Sequence, residues 1–275
     1  MPGGTGTEAV ARLLATTTSN QACQAITILD IARETDTTCQ RCGTCCLRGG
    51  PALHHADAVL FSGQDALDLS VIVTIRAGEP VNDQVRGRVL TLEHELLKLR
   101  GTAGSQACMF YDQPARACGL YQRRPEECRA LSCRDTAPLA AMYERDRLRR
   151  CDLLPAGHHI LPVLSEHEAL VPVARIAPLA EHFLANGQEA REAEAELLRM
   201  AATDQAFRRK LAEHAGIGQE YHEFFFGRGA AALFAAAGLV LREDARRGFR
   251  IQPNPLWRVR PGTIRVQHTG EADER

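Results

Sequence analysis

Four thiols fall within eight residues in the segment Cys39-Gln-Arg-Cys-Gly-Thr-Cys-Cys46. Packing does not require this. Cysteine is an adequate small hydrophobe, but a core helix or strand does not concentrate it so tightly. A metal ion does require it. A thiolate at every third residue lets a tightly wound backbone turn several sulfurs onto one centre, and Gly43 supplies the freedom such a turn needs. Through Cys45 the spacing is C-x2-C-x2-C, which also opens the bacterial iron–sulfur ligand run. Cys46 breaks the pattern, because side chains of adjacent residues diverge. Cys39, Cys42 and Cys45 are therefore candidates for one centre, with Cys46 serving a second centre or a structural role.

A second set follows: Cys108, Cys118, Cys128 and Cys133, in the pattern C-x9-C-x9-C-x4-C. Cys108-Met-Phe-Tyr111 and Cys118-Gly-Leu-Tyr121 are short, apolar and aromatic, and the link Asp112 to Ala117 is turn-like. That combination predicts a hairpin. Alternation along a strand then points Cys108 with Phe110 one way, and Cys118 with Leu120. Arg124-Pro125-Glu126-Glu127 opens a helix, with proline at its start and carboxylates in its first turn. Cys133 lies five residues past Cys128, so the helix must end or tighten near Ser132 if both sulfurs serve one centre.

Eight thiolates carry a formal charge of about −8. Two zinc ions would leave about −4, and one oxidised cubane with four cysteines about −2. Arg41, Arg48, Arg124, Arg129 and Arg134 lie beside these cysteines in sequence. Arg41, Arg124 and Arg129 in particular are candidates to offset the remaining charge around the bound group and to tune thiolate basicity. Zinc would be tetrahedral and redox-silent, and would contribute folding free energy of roughly 10–16 kcal/mol per site. An iron–sulfur cluster would use the same ligands and add electron transfer. The C-x2-C-x2-C spacing favours iron, whereas the doubled cysteine and the C-x9-C hairpin favour two centres.

The elements that must carry these residues are mostly read as helices. Amphipathic spacing predicts helices over residues 7–15, 21–35, 56–61, 64–77 and 89–99, then an arginine-rich one over 138–151 with a solvated face. Cys23 lies on the apolar face of its helix and is assigned to the core. After proline and glycine breaks at 153–164 no further cysteine appears, and helices follow over 189–202, 205–214 and 219–241, with a strand over 248–251. The fold class expected is mainly α with a small β-hairpin. Its parts are N-terminal helices over 1–35, an irregular metal-stapled cysteine-rich module over 36–151, a helical C-terminal region over 152–267 and a disordered tail over 268–275. His54, His55, His158, His159 and His167 are read as surface residues.

Composition narrows the function classes. Hydrophobic and charged fractions of 45% and 24% are those of an ordinary globular protein, and a net charge of −1 indicates neither nucleic acid nor an anionic membrane as partner. The first residues lack a basic and an apolar region, so a secretory signal is not expected, and the apolar run 229–241 is too short to span a bilayer. A cytoplasmic address follows, where thiols stay reduced and ten cysteines read as ligands rather than disulfides.

The assembled pattern resembles the YkgJ-type cysteine cluster family (CxxCxxCC), a zinc- or iron-chelating domain. The resemblance runs over about residues 36–135. It rests on Cys39, Cys42, Gly43, Cys45, Cys46, Cys108, the segment Met109 to Asp112, Cys118, Tyr121, Arg124, Pro125, Cys128, Arg129 and Cys133. Ala130-Leu-Ser-Cys133 departs from the aromatic-proline pair common in the family. The resemblance implies a metal or iron–sulfur site on the eight cysteines. Some larger relatives are lysine methylases acting on flagellin, which makes a cluster-dependent methyltransferase an alternative, although no glycine-rich cofactor loop is visible here. The readings are thus a metal-binding protein with a structural or redox cluster and a protein partner on its C-terminal helices, a cluster-dependent enzyme, and a zinc-stapled helical scaffold.

Overall fold

The computed structural model describes residues 39–83, 86–102, 104–244 and 248–256. The expected helices over 7–15 and 21–35, the core assignment of Cys23 and the tail over 268–275 lie outside these residues.

Strands replace two of the expected helices. β1 (Ile72–Ile75) pairs antiparallel with β4 (Leu96–Leu99), and the hairpin of β2 (Pro80–Asp83) and β3 (Arg88–Thr91) is inserted between them in sequence. The leucines at 96, 97 and 99 resemble a helix face because both sides of β4 are covered. Leu97 and Leu99, with Ile72, pack into one core, whereas Leu96 joins Ile75, Val81, Leu90 and Leu92 in another. Cross-strand neighbours share a face, so Lys98 lies on the second face beside its register partner Val73. The expected hairpin forms as β5 (Tyr111–Asp112) against β6 (Ala117–Cys118).

The helices are α1 (Glu126–Ala130), α2 (Ala137–Met142), α3 (Arg150–Leu153), α4 (Ile160–Leu170), α5 (Ile176–Ala185), α6 (Ala190–Ala215), α7 (His222–Phe226) and α8 (Ala230–Ala236). A last pair, β7 (Leu239–Asp244) with β8 (Gly248–Pro253), closes the described chain and contains the strand expected at 248–251. With four antiparallel strand pairs among the described residues, the fold is mixed α and β, not mainly α with one hairpin.

Three further corrections have local causes. The expected helix over 138–151 stops after Met142; the chain turns through Asp146 at a φ of 52° and re-enters a helix at Arg150, burying Leu148 completely. The two helices expected over 189–214 are one, α6, because Asp204 is not a stop but a buried helical residue. The apolar stretch 219–241 is divided at Gly227, whose φ is 71°, and ends as strand β7.

Two main cores result. One joins Val171, Leu179, Leu197, Met200, Phe234 and Leu239 within the C-terminal helices. The other brings Leu53, Leu97 and Leu148 together with Leu164, Leu211 and Phe224, so α4, α6 and α7 cover the back of the β1–β4 pair. Thr74 reinforces this contact, its hydroxyl donating to the Phe224 carbonyl at 2.6 Å.

A layer of charge lies between the helices and the strands. His167, expected at the surface, is fully buried; its Nε2 lies 2.9 Å from Asp204 Oδ1. Asp204 also accepts from Arg208 Nε at 3.0 Å and from the Ala230 backbone N–H at 3.1 Å. Burial pushes the Asp204 carboxyl up, but the His167 and Arg208 hydrogen bonds outweigh it and hold the group well below the usual carboxylate range. The charged carboxylate assigns the His167 proton to Nε2, leaving Nδ1 to accept from Arg76 Nη1 at 3.4 Å. Arg150, 4% exposed, donates to Glu95 Oε2 at 2.8 Å and also reaches Glu168.

Candidate metal centre

The segment Cys39 to Cys46 is wound by two left-handed residues, Arg41 at φ 54° and Gly43 at φ 80°. The Leu47 N–H donates to the Gly43 carbonyl at 2.8 Å and the Arg48 N–H to the Cys45 carbonyl at 3.0 Å. Two causes require glycine at 43. A side chain is strained at that φ, and a Cβ would stand 1.9 Å from Tyr111 Oη. Tyr111 thus lies directly over the cysteine loop. The Cys108 N–H donates to the Cys46 carbonyl at 2.7 Å, which docks the second cysteine set onto the first. Cys118 lies opposite Tyr111 on β6. Cys118 and Phe110 both pack against the core that contains Leu120, whereas Cys108 is almost buried at an isolated bridge to Gly101.

Helix α1 carries Cys128, and its placement depends on residues not read as functional in sequence. Asp57 Oδ1 accepts from the Glu126 N–H at 2.9 Å, supplying an acceptor to the start of the helix from 69 residues away. Its other oxygen accepts from the His54 N–H at 2.9 Å. Glu127 Oε2 accepts from the Ala52 N–H at 2.8 Å, and its Oε1 lies 3.6 Å from His54 Nε2. His54 is therefore not a surface turn residue; it is 1% exposed, and its Nδ1 lies 2.8 Å from the Arg145 carbonyl. The signal available in sequence was His54-x-x-Asp57, a capping arrangement at the 3₁₀ turn His55–Phe61. The helix ends at Ala130 and Leu131 is extended, and Cys133 beyond it meets Cys42 rather than Cys128.

The charges the cysteines feel sort them into two neighbourhoods, with Cys45 acting on both, and sulfurs approach directly at Cys42–Cys133 and Cys45–Cys46. Cys133 Sγ lies 3.9 Å from Cys42 Sγ, and its thiol is pushed up by the bond to Cys42 and by burial, with the charges of Cys42, Cys45 and Cys39 adding to these. Cys42 itself is held below the usual thiol range by the Thr44 side chain, whose Oγ1 is 3.4 Å away, and by the Thr44 backbone. In the second neighbourhood burial pushes Cys46 up to about 12, with Cys45, Cys108 and Cys118 adding to it. Burial likewise raises Cys108 and Cys128, and both feel Cys45 and Cys118. The two neighbourhoods adjoin at the vicinal pair, whose sulfurs are 4.0 Å apart and so approach rather than diverge. Among the described residues no three His, Cys, Asp or Glu side chains are closed around a single point.

The donor set fits a soft cation. It consists of thiols, and burial makes three of them costly to ionise unless a positive charge is supplied. Arg41 and Arg124 stack on the Tyr121 ring, their guanidinium carbons 4.1 and 4.3 Å from its centroid. Among the described residues no hydrogen bond joins Arg41, Arg124 or Arg129 side chains to sulfur. Cys151 is exposed, and the charges that act on it are those of Asp152, Glu95 and Arg149 rather than of another cysteine. His55 is exposed beside Asp152 at 3.9 Å, and His158 stacks on His159.

Residues 38–147 match a protein-family model, CxxCxxCC, described as a putative zinc- or iron-chelating domain. The match agrees with the resemblance carried by the cysteine pattern and also takes in the segment that holds Arg145. No curated protein matches the chain, and no solved structure does. Among the described residues no helix is long and apolar enough to cross a membrane.

Proposed function

Taking residues 38–147 as a domain of this zinc- or iron-chelating family, we propose that its eight cysteines hold metal in two adjoining groups. Cys39, Cys42, Cys45 and Cys133 form one, and Cys46, Cys108, Cys118 and Cys128 the other. The observation that carries this reading is the approach of Cys42 to Cys133, 91 residues on in the chain, at 3.9 Å, with Cys46, Cys108 and Cys128 in a second neighbourhood where burial opposes their ionisation. A tetrahedral thiolate ion with bonds of about 2.3 Å has sulfur–sulfur edges of about 3.8 Å. The Cys42–Cys133 separation of 3.9 Å supports one such ion in the first group.

The chain's own groups prepare the site. Tyr111 covers the loop at Gly43, Asp57 and Glu127 fix α1, and Arg41 and Arg124 stack on Tyr121. When bound, zinc would staple the loops, whereas an iron–sulfur cluster would add electron transfer. The iron–sulfur reading is favoured by the C-x2-C-x2-C spacing.

Metal analysis with an absorption spectrum of anaerobically purified protein tests both. Two zinc ions per chain and no visible band select the first, and a broad visible band with iron and sulfide selects the second. Less than about one metal per chain would end the proposal.

A further inference from the structure

A cleft of about 1570 Å³ is bordered by Cys45, Cys46, Cys108 and Cys128. Its floor is apolar because the outward faces of β1 and β4 meet the β2–β3 hairpin there, where Val73, Val81 and Leu90 remain half-buried against Ile75 and Leu96. An ordinary small-molecule pocket holds roughly 300–1,000 Å³. A helix of about fifteen residues, about 22 Å long and about 10 Å wide, fills about 1,700 Å³. The cleft is therefore the size of a helix rather than of a metabolite.

The sequence supplies such a helix beyond the described residues. Residues 21–35 place Ala22, Ile26, Leu29 and Ala32 at helical spacing. A helix this short is marginal in water by itself and needs a surface for its apolar side. Only Asp36, Thr37 and Thr38 separate it from Cys39, a tether of about 14 Å at most, and Cys45 of the same loop already borders the cleft. The segment 257–275 does not fit the cleft: it leaves from Leu256 beyond β8, whose Ile251 packs in the C-terminal core, and Pro261-Gly262 interrupts it. Charge agrees with the nearer segment. Asp30 and Glu34 are one turn apart beside its apolar stripe, and Arg48 and Arg88 stand exposed at the border of the cleft. Among the described residues neither arginine is in an ion pair, whereas Arg86 is held by Asp83 and Glu144.

We propose that residues 21–35 of this chain lie as a helix in the cleft, with Ala22, Ile26, Leu29 and Ala32 against Val73, Val81 and Leu90, and so cover its cysteine border. The proposal does not depend on which metal the thiols hold, or on their holding one.

Hydrogen exchange of the full chain as purified, read by peptide mass, tests it. Amides of residues 21–35 should exchange about tenfold or more slowly than those of a free peptide of that sequence. Ile26→Asp should abolish the protection, whereas Thr27→Asp, on the opposite side of the helix, should retain it. Cross-linking then locates the contact: the photo-reactive p-benzoylphenylalanine in place of Leu29 should join its peptide, within one chain, to residues 72–99. Exchange at the free-peptide rate, or protection that survives Ile26→Asp or is lost equally with Thr27→Asp, would overturn the proposal. So would cross-links that join two chains or reach the C-terminal helices.

Discussion

Gly43→Ala should damage the cysteine loop far beyond the size of one methyl group. The residue sits at φ 80°, and a Cβ there would approach Tyr111 Oη to 1.9 Å and Cζ to 2.5 Å. Leaving glycine costs about 1–2 kcal/mol at a left-handed φ, and displacing a packed ring adds about 1–3 kcal/mol, so the total should be about 2–5 kcal/mol. Denaturant unfolding of the metal-loaded chain measures it. In a Tyr111→Ala background the overlap is gone and only the backbone cost should survive, reducing the penalty of Gly43→Ala to about 1–2 kcal/mol. The difference between backgrounds is the quantity that isolates the contact. An equal penalty in both, or a Gly43→Ala chain within about 0.5 kcal/mol of the parent, would refute the placement of Tyr111 over the loop.

Other expectations follow from the groups that position the site and the core. Asp57→Ala removes the acceptor of two backbone N–H groups, those of His54 and Glu126; it should cost about 2–4 kcal/mol and weaken metal retention against a chelator about tenfold. His167 is buried and neutral, and burial, with Arg76 nearby, holds its pKa below the usual imidazole range despite the Asp204 bond. Its contribution is therefore complete above about pH 6.5 and is lost as pH falls through the folded value. The loss should be no steeper than about 1.4 kcal/mol per pH unit. The melting temperature should fall between pH 7.5 and 5.5, and His167→Gln should flatten that fall; an unchanged slope would refute the assignment. The Asp204 contribution lies lower, lost only below the ordinary carboxylate value of about 3.9.

What the sequence showed and what it hid divide by distance along the chain. The cysteine loop, the short hairpin and the start of α1 at Pro125 were legible because glycine, proline and turn residues act on their immediate neighbours. The pairing of Ile72 with Leu99 was not, since each face of β4 meets a different core and the alternation that marks a strand disappears. Asp204 reads locally as a helix stop, yet its partners are His167 and Arg208, and a buried carboxylate so bonded belongs inside a helix. His54 looks like a turn residue for the same reason: the Arg145 carbonyl it meets is 91 residues away. The eight candidate ligands were found from spacing, but Asp57, Glu127 and Tyr111, which place them, act through contacts that spacing does not reveal.

The central claim, that eight of the ten cysteines belong to metal, is tested most directly by alkylating the native chain and locating the label by peptide mass. Cys151, exposed and with no other cysteine among the charges that act on it, should react at once. Cys39, Cys42, Cys45, Cys46, Cys108, Cys118, Cys128 and Cys133 should be protected until the metal is stripped, and then react. Labelling of exposed Cys133 and its neighbour Cys42 at the rate of Cys151, before any metal is removed, would contradict it.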